Sequence, residues 1–317
     1  MAPDDSISLT KSASDLRTEA MAEAVSVSAA RRLRHLNEIG LALSSERDID
    51  RLLEIILSRS RELTDADAGS LFLVQTIPGT ECPEGRDLNG ACIGKGESAL
   101  YFCKAQNDSV AFKPTGTFTV SPSSLAGYVA LTGELLCFED VYHLPEGAPY
   151  QFNNAVDKQN GYRTKSVLVV PMKNHQGEVI GVLQLINRKA RPEVLLGDVE
   201  TAEQQVLPFD PQSADLAASL ASQAAVALEN SRLLKTLEDL FESFVMAAAS
   251  AIEDRDPCTS GHSQRVTILT VGLAMAATEE TDGYFQNVQF SPQQIKELRY
   301  AGLLHDFGKI GVRENIL

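Results

Sequence analysis

Three side chains near the C-terminal end of the sequence could do chemistry together: His305 and Asp306 are adjacent, and Lys309 follows three positions later. An imidazole nitrogen beside a carboxylate oxygen suits a divalent transition metal, and a nearby lysine can neutralise a phosphate held on that metal. His262 offers a further ligand from a separate segment. We interpret these residues as part of a metal-dependent hydrolase site. The alternative for either histidine alone is a hydrogen-bonded core residue or a helix cap.

Two predicted helices would position the histidines. Ser291 and Pro292 predict the start of one helix, because a capping hydroxyl is followed by proline at the first helical position. His305 continues the apolar face of this helix, and Gly308 is expected to end it. The other residues of that face are Ile295, Leu298, Ala301 and Leu304.

The second helix is expected to begin at Thr259 or Ser260, after Asp256 and Pro257 close the helix before it. His262 would open its apolar face. That face continues through Val266, Leu269, Leu273 and Ala276. Both histidines are therefore predicted to point into one core.

Residues 253–266 and 303–311 resemble the two opening motifs of the HD-GYP phosphodiesterases. The resemblance implies an all-α domain that binds two or three divalent metal ions, commonly iron or manganese, and hydrolyses cyclic di-GMP. The metal ligands that it implies are His262, His305, Asp306 and Glu253, and the catalytic positions are Asp306 and Lys309. The later histidines and the Gly-Tyr-Pro motif of that family have no counterpart after Leu317. We therefore expect a truncated HD-GYP domain that does not turn over substrate in this chain.

Composition places the chain among ordinary globular proteins. Its 317 residues leave room for two domains, and 44% of them are hydrophobic and 22% charged. The formal net charge of -15 argues against binding of a nucleic-acid polymer, which relies on lysine and arginine. No apolar run reaches the roughly 20 residues of a membrane span, and the first residues lack the features of a signal peptide. A cytoplasmic protein without a membrane partner is expected.

The five cysteines show no Cys-x-x-Cys spacing. This favours reduced thiols over a disulfide framework or a zinc ribbon. The alternative is a metal role for Cys82 and Cys92.

The rest of the sequence predicts an α+β domain between a tail and a long helix. Residues 1–32 indicate a tail, 33–230 a sensor domain, and 231–317 a linker helix with the N-terminal part of an all-α domain. Two amphipathic helices are expected at 33–43 and 48–63. The predicted strands are 70–74, 99–103, 117–120, 166–171 and 179–187, the last two joined by a hairpin turn at 174–177. This order predicts an antiparallel sheet with packed helices.

Residues 152–157, 161–168 and 181–188 resemble the GAF domains of cyclic-nucleotide phosphodiesterases and cyanobacterial adenylyl cyclases. The resemblance covers 33–230 and implies a small-molecule sensor, often with cyclic AMP or cyclic GMP as the ligand in this subgroup. The family has an Asn-Lys...Phe...Asp signature. The chain keeps Asn187 and Phe209, has Arg188 in place of lysine, and has Asp215 two positions late.

A ligand pocket is predicted where a short helix starts at Ser121. Backbone N–H groups at its first turn would face a phosphate, helped by the helix dipole. These are the N–H groups of Ser123, Ser124 and Leu125. Phe152 and Asp157 would come from a loop that covers the pocket. The alternative is that Ser121 only caps the helix and Phe152 only packs.

From Asp215 the sequence predicts one long helix that leads into the C-terminal segment. A stripe at alternating spacings of four and three runs along it, consisting of Val226, Asn230, Leu233, Leu237, Leu240, Phe244 and Ala247. We call this stripe the linker seam. It has the pattern of a coiled coil with one polar position and predicts a parallel homodimer. The alternative is a single helix packed on its own sheet.

The favoured interpretation is a bacterial signalling protein in which the GAF domain regulates HD-GYP hydrolysis of cyclic di-GMP. Two alternatives stay open. One is a ligand-binding GAF sensor with a vestigial, inactive HD segment, which metal content would separate from the favoured interpretation. The other is a different HD hydrolase that acts on mononucleotides, which a substrate panel would separate.

Overall fold

The computed structural model describes residues 37–76, 98–110, 121, 123–253 and 261–311. The chain divides into two compact units, Met1–Ser231 and Arg232–Leu317. The predicted tail at 1–32 and the predicted strand at 117–120 lie outside the described residues. None of the described helices is both long and apolar enough to cross a membrane.

The first two helices form where the amphipathic pattern predicts them. Within the described residues α1 covers 37–45, and α2 covers Ile49–Thr64. Asp48 caps α2, because its carboxylate accepts the Arg51 N–H at 3.0 Å. The buried apolar residues of α2 are Leu52, Leu53, Ile56 and Leu57.

In the part of the first unit that the structure describes, a six-stranded antiparallel sheet forms the centre. The strands are β1 (Ala66–Thr76), β2 (Ser98–Asn107), β3 (Leu136–Phe138), β4 (Val167–Lys173), β5 (Val179–Lys189) and β6 (Val206–Leu207). Their order is β2-β1-β5-β4-β3, with β6 paired to β5. The predicted hairpin between β4 and β5 is confirmed. The Asn174 side chain accepts the N–H groups of Gln176 and Glu178 in this turn.

The two faces of the sheet pack on different elements, because successive side chains of a strand point to opposite sides. Leu71 and Leu183 belong to a core shared with α1, α2 and the start of the long helix α6 (Pro211–Glu253). Phe72 and Val182 belong to a second core shared with α3 (Leu125–Thr132). The short helices α4 (Ala155–Asn160) and α5 (Val199–Gln205) complete the first unit. This is the predicted α+β arrangement with a long helix after the sheet.

Helix α3 begins later than predicted. Its N-cap is Ser124, whose hydroxyl accepts the Gly127 N–H at 3.0 Å. Ser121 was predicted to be the cap, but its carbonyl oxygen instead accepts the Ser124 N–H at 3.0 Å in a turn before the helix. The turn therefore places the cap three residues later than predicted.

The second unit contains the end of α6, then α7 (His262–Glu279), α8 (Pro292–Leu304) and a 3₁₀ turn at Phe307–Gly311. The predicted start of α8 is confirmed, with a capping box between Ser291 and Gln294. Two boundaries differ from prediction. Gly261, at φ 68°, is the N-cap of α7 in place of Thr259 or Ser260. Helix α8 ends before His305, its C-cap, and Gly308 lies within the 3₁₀ turn.

The predicted apolar face of α7 is wrong. Leu269 and Leu273 are 67% and 72% exposed. The residues of α7 that are buried are Ser263, Thr267 and Ala274. Helix α8 approaches here through Gly302, where an added Cβ would lie 2.7 Å from the Thr267 Oγ1. Small side chains allow this close contact between the two backbones, and the larger residues of α7 face away.

Candidate functional site

A cavity of about 730 Å³ lies on the α3 side of the sheet in the first unit. It brings together all five residues predicted for the ligand pocket, which are Ser123, Ser124, Leu125, Phe152 and Asp157. The volume is within the range of small-molecule sites. The five residues, which are far apart in the sequence, therefore line one cavity.

Two polar residues of the cavity floor were not predicted. Ser70 in β1 is directly opposite Gln184 in β5, and both line the cavity. They lie among apolar neighbours on the same face, including Phe72 and Ile186. Polar side chains at strand positions that face a cavity can select a ligand by hydrogen bonding. The sequence pattern that could have identified them is a serine and a glutamine at strand positions whose side chains alternate onto the inward face.

The N-terminus of α3 borders the cavity, but the donors differ from those predicted. The Ser124 N–H is bonded to the Ser121 carbonyl at 3.0 Å, and the Ser123 N–H to the Ser121 hydroxyl at 3.2 Å. The first N–H groups of the helix itself belong to Leu125 and Ala126, which both line the cavity. The first N–H groups of a helix have no acceptor within it and lie at the positive end of its dipole.

Asp157 lies in the cavity wall with its carboxylate fully engaged. It is 5% exposed and accepts the Tyr142 hydroxyl at 2.9 Å. Thr164 donates its N–H and its hydroxyl to the same carboxylate, each at 2.8 Å. Burial and the bond to Asp157 raise the pKa of Tyr142 to about 12, so its hydroxyl stays a donor. Asp157 therefore fixes the wall formed by α4.

A buried polar network supports the cavity near Tyr162. The Tyr162 hydroxyl donates to Asp67 Oδ2 at 2.7 Å and accepts from Asn187 Nδ2 at 3.0 Å. Asp67 is fully buried, and Lys189 Nζ lies 3.4 Å from its other oxygen. Burial and the nearby Asp67 raise the pKa of Tyr162 strongly, so the phenol stays protonated.

Arg188, at the lysine position of the Asn-Lys...Phe...Asp signature, has an aspartate partner that was not predicted. Arg188 pairs with Asp210 at 2.8 Å, whereas Asp215 is exposed. Asn187 adopts a left-handed φ of 56° and is fully buried. Its side chain accepts the Lys165 N–H at 2.6 Å. The signature residues thus hold the end of β5 and the start of α6.

The second unit contains a cluster that could hold a metal. One ligand atom from each of His262, His305 and Asp306 lies within 4.8 Å of the others. His262 is the first residue of α7, and His305 the C-cap of α8. His305 Nδ1 lies 2.8 Å from the Gly302 carbonyl, which requires Nδ1 to be the donor and leaves Nε2 as the ligand atom. The side chain of Glu253, also predicted as a ligand, lies outside the described residues.

Lys309 lies against this cluster. Its ammonium is 2.6 Å from Asp306 Oδ2, and this hydrogen bond holds the pKa of Asp306 below its ordinary value. The carboxylate is therefore ionised at neutral pH. Two imidazoles and one carboxylate are a donor set that fits a divalent transition ion such as iron or manganese. The residues present are thus compatible with a metal.

His143 and His175 are surface residues. Their side chains are 82% and 67% exposed, and they lie beside Asp140 and Glu229. Of the five cysteines, the structure describes Cys103 and Cys137, which form no disulfide.

The sequence matches the GAF domain family over residues 48–228. A dual 3',5'-cyclic-AMP and -GMP phosphodiesterase 11A from Takifugu rubripes is 30% identical over 200 residues, which are 63% of this chain and 20% of that protein. A cGMP-specific 3',5'-cyclic phosphodiesterase from Drosophila virilis is 30% identical over 146 residues, 46% of this chain and 15% of that protein. The chain thus spans a fifth or less of the length of these two relatives.

Among solved structures, the GAF domain from a phosphoenolpyruvate-protein phosphotransferase of Coxiella burnetii is similar, with a TM-score of 0.45 and 18% identity over 66% of this chain and 98% of that chain. The family match ends at residue 228, so the HD-GYP resemblance of the second unit stays a prediction. The match covers more than half of the 317 residues. The chain therefore belongs to the GAF domain family.

Proposed function

We propose that this chain is a signalling protein whose first unit binds a cyclic purine mononucleotide and regulates a metal-dependent phosphodiesterase in the second. The observation that carries the sensor function is the cavity of about 730 Å³ beside the N-terminus of α3. The names of two relatives refer to cyclic AMP and cyclic GMP. These nucleotides are accordingly the ligands proposed here.

The lining suits a ligand with one negative charge. The N–H groups of Leu125 and Ala126 offer donors to a cyclic phosphate, helped by the helix dipole. Ser70 and Gln184 offer hydrogen bonds to the edge of a base, and Phe152 offers a ring to its face. The described part of the lining includes no lysine or arginine. This favours a cyclic monophosphate over a nucleoside triphosphate.

Equilibrium dialysis with cyclic AMP and cyclic GMP tests the sensor function. Gln184→Leu should weaken binding about tenfold, because an unpaired polar edge of the ligand costs on the order of 1.4 kcal/mol. Gln176→Leu is the matched control, since Gln176 lies exposed in the β4–β5 turn. Equal binding by both variants would remove Gln184 from the proposal. Absence of binding by the unmodified chain would remove the cyclic nucleotide.

The cluster in the second unit supports the proposed hydrolase. His262, His305 and Asp306 would hold a divalent ion. Bound there, such an ion supplies acidity to a water and polarises a phosphodiester. The Lys309 ammonium donates to Asp306 Oδ2 at 2.6 Å, so it could neutralise a phosphate bound beside that carboxylate. Cyclic di-GMP is the proposed substrate, because the motifs around these residues resemble the HD-GYP family.

Metal binding separates this hydrolase from a sensor with a vestigial segment. We expect the chain to bind Mn²⁺ in calorimetric titrations and to lose that binding when His262 is replaced by alanine. Hydrolysis of cyclic di-GMP and of cyclic mononucleotides would then be compared in a form that carries the remaining HD-GYP motifs. A chain that takes up no metal would favour the vestigial alternative. Preference for a cyclic mononucleotide would favour the alternative of a different HD hydrolase that acts on mononucleotides.

The linker seam supports a proposed homodimer. All seven of its positions are exposed in the single chain, among them Leu237 at 62% and Phe244 at 64%. Pairing two seams would bury this apolar stripe and place Asn230 opposite Asn230. Leu237→Glu should shift the chain to the monomer in analytical ultracentrifugation. Leu195→Glu is the control, because Leu195 is equally exposed but lies outside the seam.

A further inference from the structure

Tyr142 touches both of the wall residues that were predicted to contact the ligand. Its hydroxyl lies 2.9 Å from Asp157 Oδ2. Its ring centroid lies 5.3 Å from that of Phe152 in a tilted arrangement. Tyr142 is not among the described residues that line the cavity. Tyr142 can therefore act on a ligand through Phe152 and Asp157, which do line the cavity.

Arg163 holds the ring of Tyr142 from the other direction. The guanidinium carbon lies 4.0 Å from the ring centroid. Arg163 is itself bound to both oxygens of Asp140, at 2.8 and 3.0 Å, and to Glu203 of α5 at 3.1 Å. Its side chain is only 13% exposed, and partial burial strengthens a cation–π contact. The tyrosine is thus fixed at its ring as well as at its hydroxyl.

Other contacts also hold residues 150–160, which form this wall, including the packing of the Tyr150 ring on Tyr128 of α3. The Gln151 N–H donates to the Ser123 carbonyl at 2.7 Å, and Thr164 holds Asp157 by two hydrogen bonds. Loss of the Tyr142 hydroxyl would leave these bonds in place. The segment would stay folded, but α4 would lose one of the three side-chain and backbone donors that tie Asp157 down.

We infer that Tyr142 is a positioning residue of the ligand cavity: it sets the Phe152 ring and the Asp157 wall together in the arrangement that receives the ligand. The inference rests on the proposed ligand-binding function of the cavity. A wall that is already ordered spares the ligand the entropic cost of ordering it. Tyr142 thereby affects how tightly and how long a ligand is held, without touching it.

Hydrogen exchange on the unliganded full chain tests the inference without a ligand. In Tyr142→Phe, amides of residues 155–160 should exchange about fivefold faster, as expected when a hydrogen bond worth about 1 kcal/mol is lost. Amides of α3 and β4 should keep their rates. Tyr128→Phe is the matched control, because among the described residues its hydroxyl bonds only the exposed Glu134, at 3.4 Å. Unchanged exchange at 155–160 in Tyr142→Phe overturns the inference.

Nucleotide kinetics separate positioning from general stability. Cyclic GMP and cyclic AMP are the probes. In Tyr142→Phe the bound nucleotide should dissociate about threefold to tenfold faster, and the thermal midpoint of the unliganded chain should fall by only about 2–4 °C, the shift that about 1 kcal/mol produces. Tyr142→Leu, which also loses the ring contact with Phe152, should release the nucleotide faster still. A release rate that stays unchanged in Tyr142→Phe while the thermal midpoint falls would show a purely structural role and contradict positioning. If the unmodified chain binds neither nucleotide, the proposed ligand is wrong, and the exchange result alone decides on Tyr142.

Discussion

The phenol of Tyr162 donates a 2.7 Å hydrogen bond to the carboxylate of Asp67, and so joins the segment before β4 to the start of β1. Asp67 is fully buried. Its second oxygen accepts the Ser109 hydroxyl at 2.7 Å and lies 3.4 Å from Lys189 Nζ. A buried carboxylate is tolerated only when such partners satisfy it. The bond from Tyr162 is therefore part of what keeps this charge inside the first unit.

Tyr162→Phe should lower the free energy of unfolding by about 1–3 kcal/mol, because Asp67 would lose a buried donor. Urea denaturation followed by circular dichroism measures the change. Tyr128→Phe provides the comparison, since that hydroxyl donates to the exposed carboxylate of Glu134 at 3.4 Å. Equal stability of the two variants would show that Asp67 does not depend on the phenol.

Gly302→Ala should destabilise the packing of α7 on α8. The new Cβ would lie 2.7 Å from Thr267 Oγ1 and 3.0 Å from Thr267 Cα, and such overpacking costs about 1–3 kcal/mol. Gly272→Ala in α7 is the matched change, because nothing lies within 4 Å of its Cβ. That variant should be more stable by up to about 1 kcal/mol, because alanine has a higher helix propensity than glycine. Hydrogen exchange of residues 262–279 would rank the two, and faster exchange in Gly272→Ala would contradict this packing.

The two helices of the second unit show where prediction from sequence fails. Apolar spacing in α7 identified a stripe through Leu269 and Leu273, but spacing alone cannot say which stripe meets a neighbour. The contact with α8 is made by Thr267 and Gly302, whose small size permits close approach. In the first unit alternation and turn residues predicted β1, β2, β4 and β5, because strand polarity separates the two faces of a sheet, but they did not predict the short strands β3 and β6.

The cavity was predicted in part for a similar reason. The helix start and the covering loop gave Leu125, Phe152 and Asp157 directly. Ser70 and Gln184 were missed, because a polar residue within a strand usually faces solvent. Only the register of β1 on β5 places them together on the enclosed face.

Asp210 should make stability depend on pH. Burial acts to raise its pKa, but the Ser213 N–H and Arg188 outweigh this, so the pKa of Asp210 is lowered in the folded chain. Its contribution is therefore present above the unfolded value near pH 4 and is lost as pH falls through the lower folded value. Asp210→Asn should cost on the order of 0.5 kcal/mol at pH 7, since the side chain is 42% exposed, and less at pH 3. Urea unfolding at both pH values measures the stability difference between Asp210→Asn and the unmodified chain. The same difference at pH 7 and at pH 3 would contradict the prediction.

His305→Ala should weaken Mn²⁺ binding by about tenfold or more, because it removes one of the three clustered ligands. Isothermal titration calorimetry gives the affinity directly. His175→Ala serves as the control, since that histidine is exposed on the first unit. The same affinity in both variants would exclude His305 from the metal site.

The cavity of the GAF unit is proposed to hold a cyclic purine mononucleotide. Isothermal titration of the unmodified chain with cyclic AMP and with cyclic GMP measures this binding. We expect saturable binding of at least one of them, at one nucleotide per chain. No binding of either at concentrations up to about 1 mM, where a dissociation constant corresponds to only about 4 kcal/mol, would contradict it.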